Sequence, residues 1–297
     1  MQTIEELKRK IDSTEDLHGV VKTMKAMAAV KIRQFEKAAE ALEDYSHTVE
    51  MGLQVVLQSR PGRIIGARKQ SGGMVGAVVF GSDQGMCGQL NDQIADHAMA
   101  ELIRRDPENG GRNRLVMTVG ERIKSRLKDM GLAIEKQISV PASVTGITAK
   151  VQDIVNAIES WGGENDFYQL YLFYSRHLSG ARYRPHTVHL LPVDRHWLEN
   201  LKEKPWPTKA LPMYRGSWDP IFSALIRQYL FVSIFRALAE SLASENASRL
   251  SAMQGAEKNI RERIDMLKNQ FHQRRQMTIT EELLDIVAGF EVLKNAR

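Results

Sequence analysis

Cysteine is nearly missing from this sequence. Cys87 stands alone, which excludes an internal disulfide and fits a reducing compartment, so a cytosolic setting is expected. Proline is absent before Pro61 and again after Pro220, so no ring interrupts a helix at either end. Long uncharged apolar runs are missing too. The most apolar stretch, FSALIRQYLFVSIFRALAESLA, carries Arg227 and Arg236, which are costly at a bilayer centre, and no transmembrane helix is expected. The opening MQTIEELKRK has neither the apolar centre of a secretory signal nor the acid-free look of a transit peptide, so the mature chain is expected to start here. The net charge of +5 is mild and argues for acidic partners only where it clusters.

What is present begins with a heptad seam. Leu7, Thr14, Val21, Ala28, Phe35, Leu42, Val49 and Val56 recur in sevens, with Ile4, Ile11, Ile32, Ala39 and Leu53 at the partner position. His18 and Lys25 fall on that second position, where Leu17 and Met24 are expected to take over one residue earlier. A similar rhythm runs through Phe235, Leu238, Leu242, Leu250, Met253, Ile260, Ile264, Leu267 and Phe271. The 77 residues from Ile221 to Arg297, at about 1.5 Å each, give a helix of roughly 110 Å. Two such helices bury their stripes best against each other as an antiparallel pair. The competing reading is two shorter bundles broken near Gly52, Gly255 and Gly289.

Between the ends the texture alternates. MVGAVVF (74–80), RLVMTVG (114–120), FYQLYLFYS (167–175) and HTVHLLPV (186–193) read as strands, and 92–105, 121–130 and 149–161 as helices. Alternation predicts a mostly parallel sheet with helices on its faces. GRIIGARKQSGG (62–73) reads as a linker, and the proline-rich 204–220 as an irregular return path. The expected organisation is an N-terminal coiled-coil helix over 1–58, an α/β domain over 74–212 and a C-terminal coiled-coil helix over 217–297.

Candidate chemistry is thin. The glycines of FGSDQGMCGQLN (80–91) follow a strand and precede a helix, yet match neither dinucleotide nor P-loop spacing, so a structural turn is the better reading. Cys87 has no assignable base and reads as a small buried residue. His186 and His189 lie three apart on a strand and point to opposite faces, which argues against a shared metal with His196. Glu281 and Glu282 read as solvated charge. No catalytic site, cofactor or metal is expected. Charge does cluster: Lys22, Lys25, Lys31, Arg33 and Lys37 on one helix and Lys258, Arg261, Arg263, Lys268, Arg274 and Arg275 on the other suggest a basic belt where the two lie side by side. The belt lacks the interleaved aromatics of a nucleic-acid groove. The thin SLASENASRLSAM (241–253) is expected to set Ala243 and Ala247 opposite Leu42, Tyr45 and Val49.

IDSTEDLHGVVKTMKAMAAVKIR, GSDQGMCGQLN, SLASENASRLSAMQGAEKN and RRQMTITEELLDIVAGFEVL, in this order and spacing, resemble the gamma subunits of F-type ATP synthases. The resemblance is specific at the ends and only textural over about 100–215. It implies an antiparallel coiled coil of the terminal helices with an inserted Rossmann-like α/β domain. The implied function is a non-catalytic rotor that turns within the catalytic ring and couples ion flow to ATP synthesis or hydrolysis. It further implies alpha and beta ring subunits as partners, an epsilon subunit and membrane c-ring at the foot, and a peripheral place at the cytoplasmic face of a bacterial or archaeal cell membrane. Partner contacts are implied at Met24, Lys25, Arg249, Arg275, Gln276, Thr280 and Glu282. Glu281 departs from the usual Gln, and Leu17 and Gly19 from Thr and Lys, which points to a divergent branch of the alternate, sodium-associated operon type. Two other readings stay open: an α/β nucleotide-using enzyme with helical oligomerisation arms, and a coiled-coil adaptor for nucleic acid.

Overall fold

A computed structural model describes residues 3–59, 74–105, 114–164, 167–207, 209–210 and 212–295; the expected linker at 62–73 lies outside them. In chain order the elements are α1 (Ile4–Ala41), α2 (Glu43–Ser59), β1 (Met74–Phe80), α3 (Leu90–Arg105), β2 (Arg114–Val119), α4 (Glu121–Asp129), β3 (Lys136–Ile138), α5 (Ile147–Glu164), β4 (Phe167–Ser179), β5 (Arg182–Leu191), α6 (Arg195–Glu203) and α7 (Trp218–Asn295). The chain forms two compact units, one of residues 1–27 with 250–297 and the other of residues 28–249.

The larger unit holds one five-stranded sheet in the order β3-β2-β1-β4-β5. Its first four strands are parallel and β5 returns antiparallel on β4, so the Rossmann-like expectation holds with one reversed edge. Side-chain alternation divides the core between the two faces. Val75, Ala77 and Val79 pack with α3 and α4, while Val78 and Phe80 pack with α5 and with Phe35, Leu238 and Leu242 of the long helices. The three-residue β3 and the nine-residue α6 were not among the expected elements; β3 is too short to show a period.

Within this unit α2 and α7 run antiparallel. Tyr45 Oη donates to Gln228 Oε1 at 2.9 Å, Trp218 Nε1 donates to the Val56 carbonyl at 2.9 Å, and Val49, Leu53 and Leu57 share a cluster with Val232. This register overturns the expected seat of Ala243 and Ala247: Tyr45 lies opposite Gln228 and Gly52 meets Leu225, so Ala243 lies about four helical turns further along α7. The thin stretch serves the sheet instead. All nine residues from Ser241 to Arg249 are buried, Ser244 Oγ donates to the Ser175 carbonyl at 2.6 Å, and Ser248 Oγ to the Cys87 carbonyl at 2.5 Å. Small side chains let the helix backbone approach this closely.

The glycines expected as possible breaks break nothing, since α2 passes through Gly52 and α7 through Gly255 and Gly289. The one interruption of the N-terminal helix is at Leu42, whose N–H turns back to the Ala39 carbonyl at 3.4 Å, an i−3 contact that tightens the turn. By length and composition α7 also contains a window apolar enough to cross a membrane, despite Arg227 and Arg236. Its Leu230, Val232, Ile234 and Phe235 are buried in the core of this unit.

Candidate partner-binding surface

The smaller unit pairs the start of α1 with the later part of α7. Thr3 and Glu6 form a reciprocal capping box, with Glu6 N–H to Thr3 Oγ1 at 3.2 Å and Thr3 N–H to Glu6 Oε2 at 3.1 Å. Leu7 and Ile11 pack on Leu267 and Phe271, and Val21, Met253 and Ile264 continue the buried seam. Glu15 meets Lys268 at 2.7 Å, and Lys25 meets Glu257, which fixes an antiparallel register.

At Glu257 the seam turns polar. Lys25 and Arg261 both donate to its carboxylate, Arg261 at 2.5 Å, and His18 Nε2 lies 3.7 Å away. The Lys25 hydrogen bond, followed by the charges of Lys25 and Arg261, holds the Glu257 carboxyl below the usual carboxylate range. His18 and Lys25 therefore keep their seam positions, and Leu17, expected to replace His18, is 52% exposed. A polar layer across an apolar seam is a register device. The basic belt is corrected with it. Cations and anions of the two helices face each other in this unit, and Arg275 lies 18 residues, roughly 27 Å, further along α7 than the partner of Lys25.

The positions implied as contacts thus separate. Met24 is half-buried on α1, and Lys25 is engaged by Glu257. Arg275, Gln276, Thr280 and Glu282 are exposed on α7, with Thr280 Oγ1 bonded back to the Gln276 carbonyl at 2.9 Å. Gln276 and Thr280 share a shallow concavity with Gln273, Met277 and Glu281. Arg249 belongs to the larger unit and is buried, its guanidinium held by Glu245 at 2.7 Å and by Asn246 at 3.4 Å. His186 packs edge-on against Tyr174, and His189 lies tilted against Tyr171 at 4.9 Å between ring centres, on opposite faces of the sheet. Among the described residues no three His, Cys, Asp or Glu side chains are grouped to hold a metal. Cys87 is buried, and that burial pushes its thiol up, away from the reactive thiolate.

A further set was missed in the sequence. Leu7 and Ile11 reach Leu267 and Phe271, and α1 begins only one turn before Leu7, so α7 beyond about Arg275 has no partner helix among the described residues. There Met277, Ile279, Leu283, Leu284, Ile286 and Val287 are all exposed. At 3.6 residues per turn they cover roughly half the circumference, with Glu281, Glu282 and Asp285 on the other half. The signal was available: α7 continues its apolar content past the point where the N-terminal stripe runs out.

The chain matches the ATP synthase family from residue 3 to 293. It is 28% identical over 303 residues to the ATP synthase gamma chain of Brucella canis, covering 99% of this chain and 100% of that one. It is 26% identical to that of Pelotomaculum thermopropionicum, covering 99% and 100%. Among solved structures it is similar to a chain of the Tetrahymena thermophila mitochondrial ATP synthase central stalk and c-ring, with TM-score 0.59 and 23% identity over 80% of this chain and 99% of that one. It is also similar to a chain of the Euglena gracilis mitochondrial ATP synthase, with TM-score 0.64 and 16% identity over 98% and 94%.

Proposed function

Since the chain belongs to the ATP synthase family and is an F-type gamma chain of it, we propose that it works as a rotor contributing no catalytic group, with the bare end of α7 turning inside the ring of alpha and beta subunits. One observation carries this reading: half the surface of α7 from Met277 to Val287 is apolar and uncovered, which suits a greasy bearing rather than water. Arg275, Gln276, Thr280 and Glu282 meet polar groups of the ring along the same end, and Met24 meets it from α1. Solvated pairs of this kind contribute only about 0 to 1 kcal/mol each, so they guide the rotor without locking it. Lys25 acts through Glu257, by keeping the two helices in register. Arg249 acts from inside the larger unit, by bracing α7. An asymmetric rotor presents a different face to each catalytic site in turn, and nucleotide release is thereby coupled to rotation. The epsilon subunit and membrane c-ring hold the foot, at the cytoplasmic face of the membrane.

The test is Ile279→Asp with Leu283→Asp in the assembled complex. Both positions are solvent-facing in the free chain, so its folding is expected to stay unchanged while ATP turnover uncouples from ion movement. Full coupling in the variant, or saturable ATP binding by the isolated chain, removes the rotor reading in favour of an α/β nucleotide-using enzyme.

A further inference from the structure

The β4–β5 ribbon outlasts the sheet it belongs to. Pairing of β1 with β4 ends at Phe173, and from Tyr174 onward β4 is paired by β5 alone among the described residues. On the face turned to α7, Tyr174 stands opposite His186, their rings 5.3 Å apart, and Arg176 stands opposite Arg184. Like charges directly across a strand pair, about 5 Å apart at Cβ, destabilise it. Arg236 adds a third guanidinium from α7, one turn before Glu240 on the same helix face. All three arginines are exposed. Against them stands Glu240, with Oε2 3.7 Å from Arg176 Nε. Burial pushes that carboxyl up, toward its neutral form, so it offsets the arginines only in part. No other carboxylate forms an ion pair with Arg176, Arg184 or Arg236 among the described residues.

These arginines stand at one end of a cleft of about 310 Å³ walled by α2, β4, β5, α6 and α7, all within the larger unit. Arg176, His186, Arg236 and Glu240 line that end. The other end is aromatic. Trp197 and Tyr229 lie there, half-buried, with 5.1 Å between ring centres, and Ser46 and Glu50 of α2 close the wall beside them. Glu240 follows Tyr229 by eleven residues on α7, so the cleft runs for roughly 16 Å along the helix. A small polyanion seated on the arginines leaves the aromatic end empty, and one that reached further would set its charge against Glu50. An extended chain covers the same length in about five residues, at roughly 3.3 Å each.

We propose that this cleft docks a short extended segment of a partner protein, with one or two carboxylates on Arg176, Arg184 and Arg236 and an apolar side chain on Trp197 and Tyr229. Guanidinium groups take carboxylates in a two-bond fork, which fixes the acidic end of the segment. The rings fix its direction. Bound carboxylates also screen Arg176 from Arg184, so the segment steadies a two-stranded ribbon that is marginal by itself. The inference stands apart from the rotor reading, because no residue of the cleft lies on the bare end of α7.

The experiment is fluorescence anisotropy of the full chain with a fluorescein-labelled peptide that carries two adjacent aspartates and, about four residues on, a leucine. Saturable binding of one peptide per chain is expected, with a Kd on the order of 100 μM or below in low salt and weaker at about 0.15 M. A second probe with lysines in place of the aspartates does not bind. Arg184→Gln with Arg236→Gln weakens the acidic probe by about tenfold or more. Both positions are exposed, and melting of that variant at or above the wild-type temperature confirms its fold. Lys22→Gln with Arg263→Gln removes the same charge from exposed positions of the smaller unit and leaves binding unchanged. The proposal is overturned by absence of saturable binding up to about 1 mM, by equal binding of the lysine probe, or by equal losses in the two double variants. Displacement of the probe by citrate at a matched carboxylate concentration makes this a site for small oxyanions, and the docking reading is likewise refuted.

Discussion

Removing one hydroxyl, in Ser244→Ala, tests how α7 is tied to the sheet. Ser175 lies on β4 opposite Pro185 of β5, which has no N–H to give. On the other side β1 ends at Phe80, and the next two amides are taken, that of Gly81 by the Val119 carbonyl and that of Ser82 by Asn91. The Ser175 carbonyl, in a residue with no exposed surface, therefore depends on Ser244 Oγ at 2.6 Å. Truncation leaves a buried acceptor unpaired, at about 1 to 3 kcal/mol, and returns up to about 0.5 kcal/mol of helix propensity. The net loss is about 1 to 2 kcal/mol, a fall in melting temperature of roughly 2 to 8 °C for a unit of this size. Ser241→Ala is the matched control, since its hydroxyl is equally buried on the same helix but has no partner. That variant is expected to melt at the wild-type temperature or above it. Thermal unfolding followed by circular dichroism decides: equal losses in the two variants, or none in Ser244→Ala, refute the reasoning.

Ala247→Leu overpacks a fully buried position and lowers stability by about 1 to 3 kcal/mol, read as the midpoint of urea unfolding. Glu257→Gln weakens the pairing in the smaller unit in a pH-dependent way. Because the folded carboxyl titrates below its ordinary value of 4.5, its contribution is present above that pH and is lost as pH falls through the lowered value, so the melting difference between wild type and variant closes in acid. Cys87 stays unlabelled by maleimide in the native protein and reacts on unfolding, and Cys87→Ser leaves the function of the complex intact; rapid native labelling contradicts the burial argument.

The long helices and four of the five strands were legible because they are periodic over many residues. The sevenfold recurrence of Leu7, Val21, Ala28, Phe35, Val49 and Val56 marked side chains that are all buried. Register was not legible, because small residues at 241–249 accept either a bulky helix or a sheet as neighbour, and only the carbonyls of Ser175 and Cys87 decide between them. Lys25 and His18 looked like seam defects, since a polar layer is recognisable only when its partner Glu257, over two hundred residues later, is set against it. The Leu42 turn has no Gly or Pro to announce it. The Thr3-x-x-Glu6 capping box, by contrast, was written plainly at the start of α1 and was overlooked.

The buried serines of α7 also bear on how the chain is made. Ser244 and Ser248 complete hydrogen bonds to residues 69 and 161 positions earlier. A ribosome that has finished all five strands has therefore produced a sheet with an open apolar slot and waiting carbonyls. The slot stays open until the last helix emerges. At 5 to 20 residues per second that interval lasts several seconds. During it the nascent chain is most exposed to chaperones and to aggregation, and a stop anywhere before Ser241 leaves a product with no means of closing its own core.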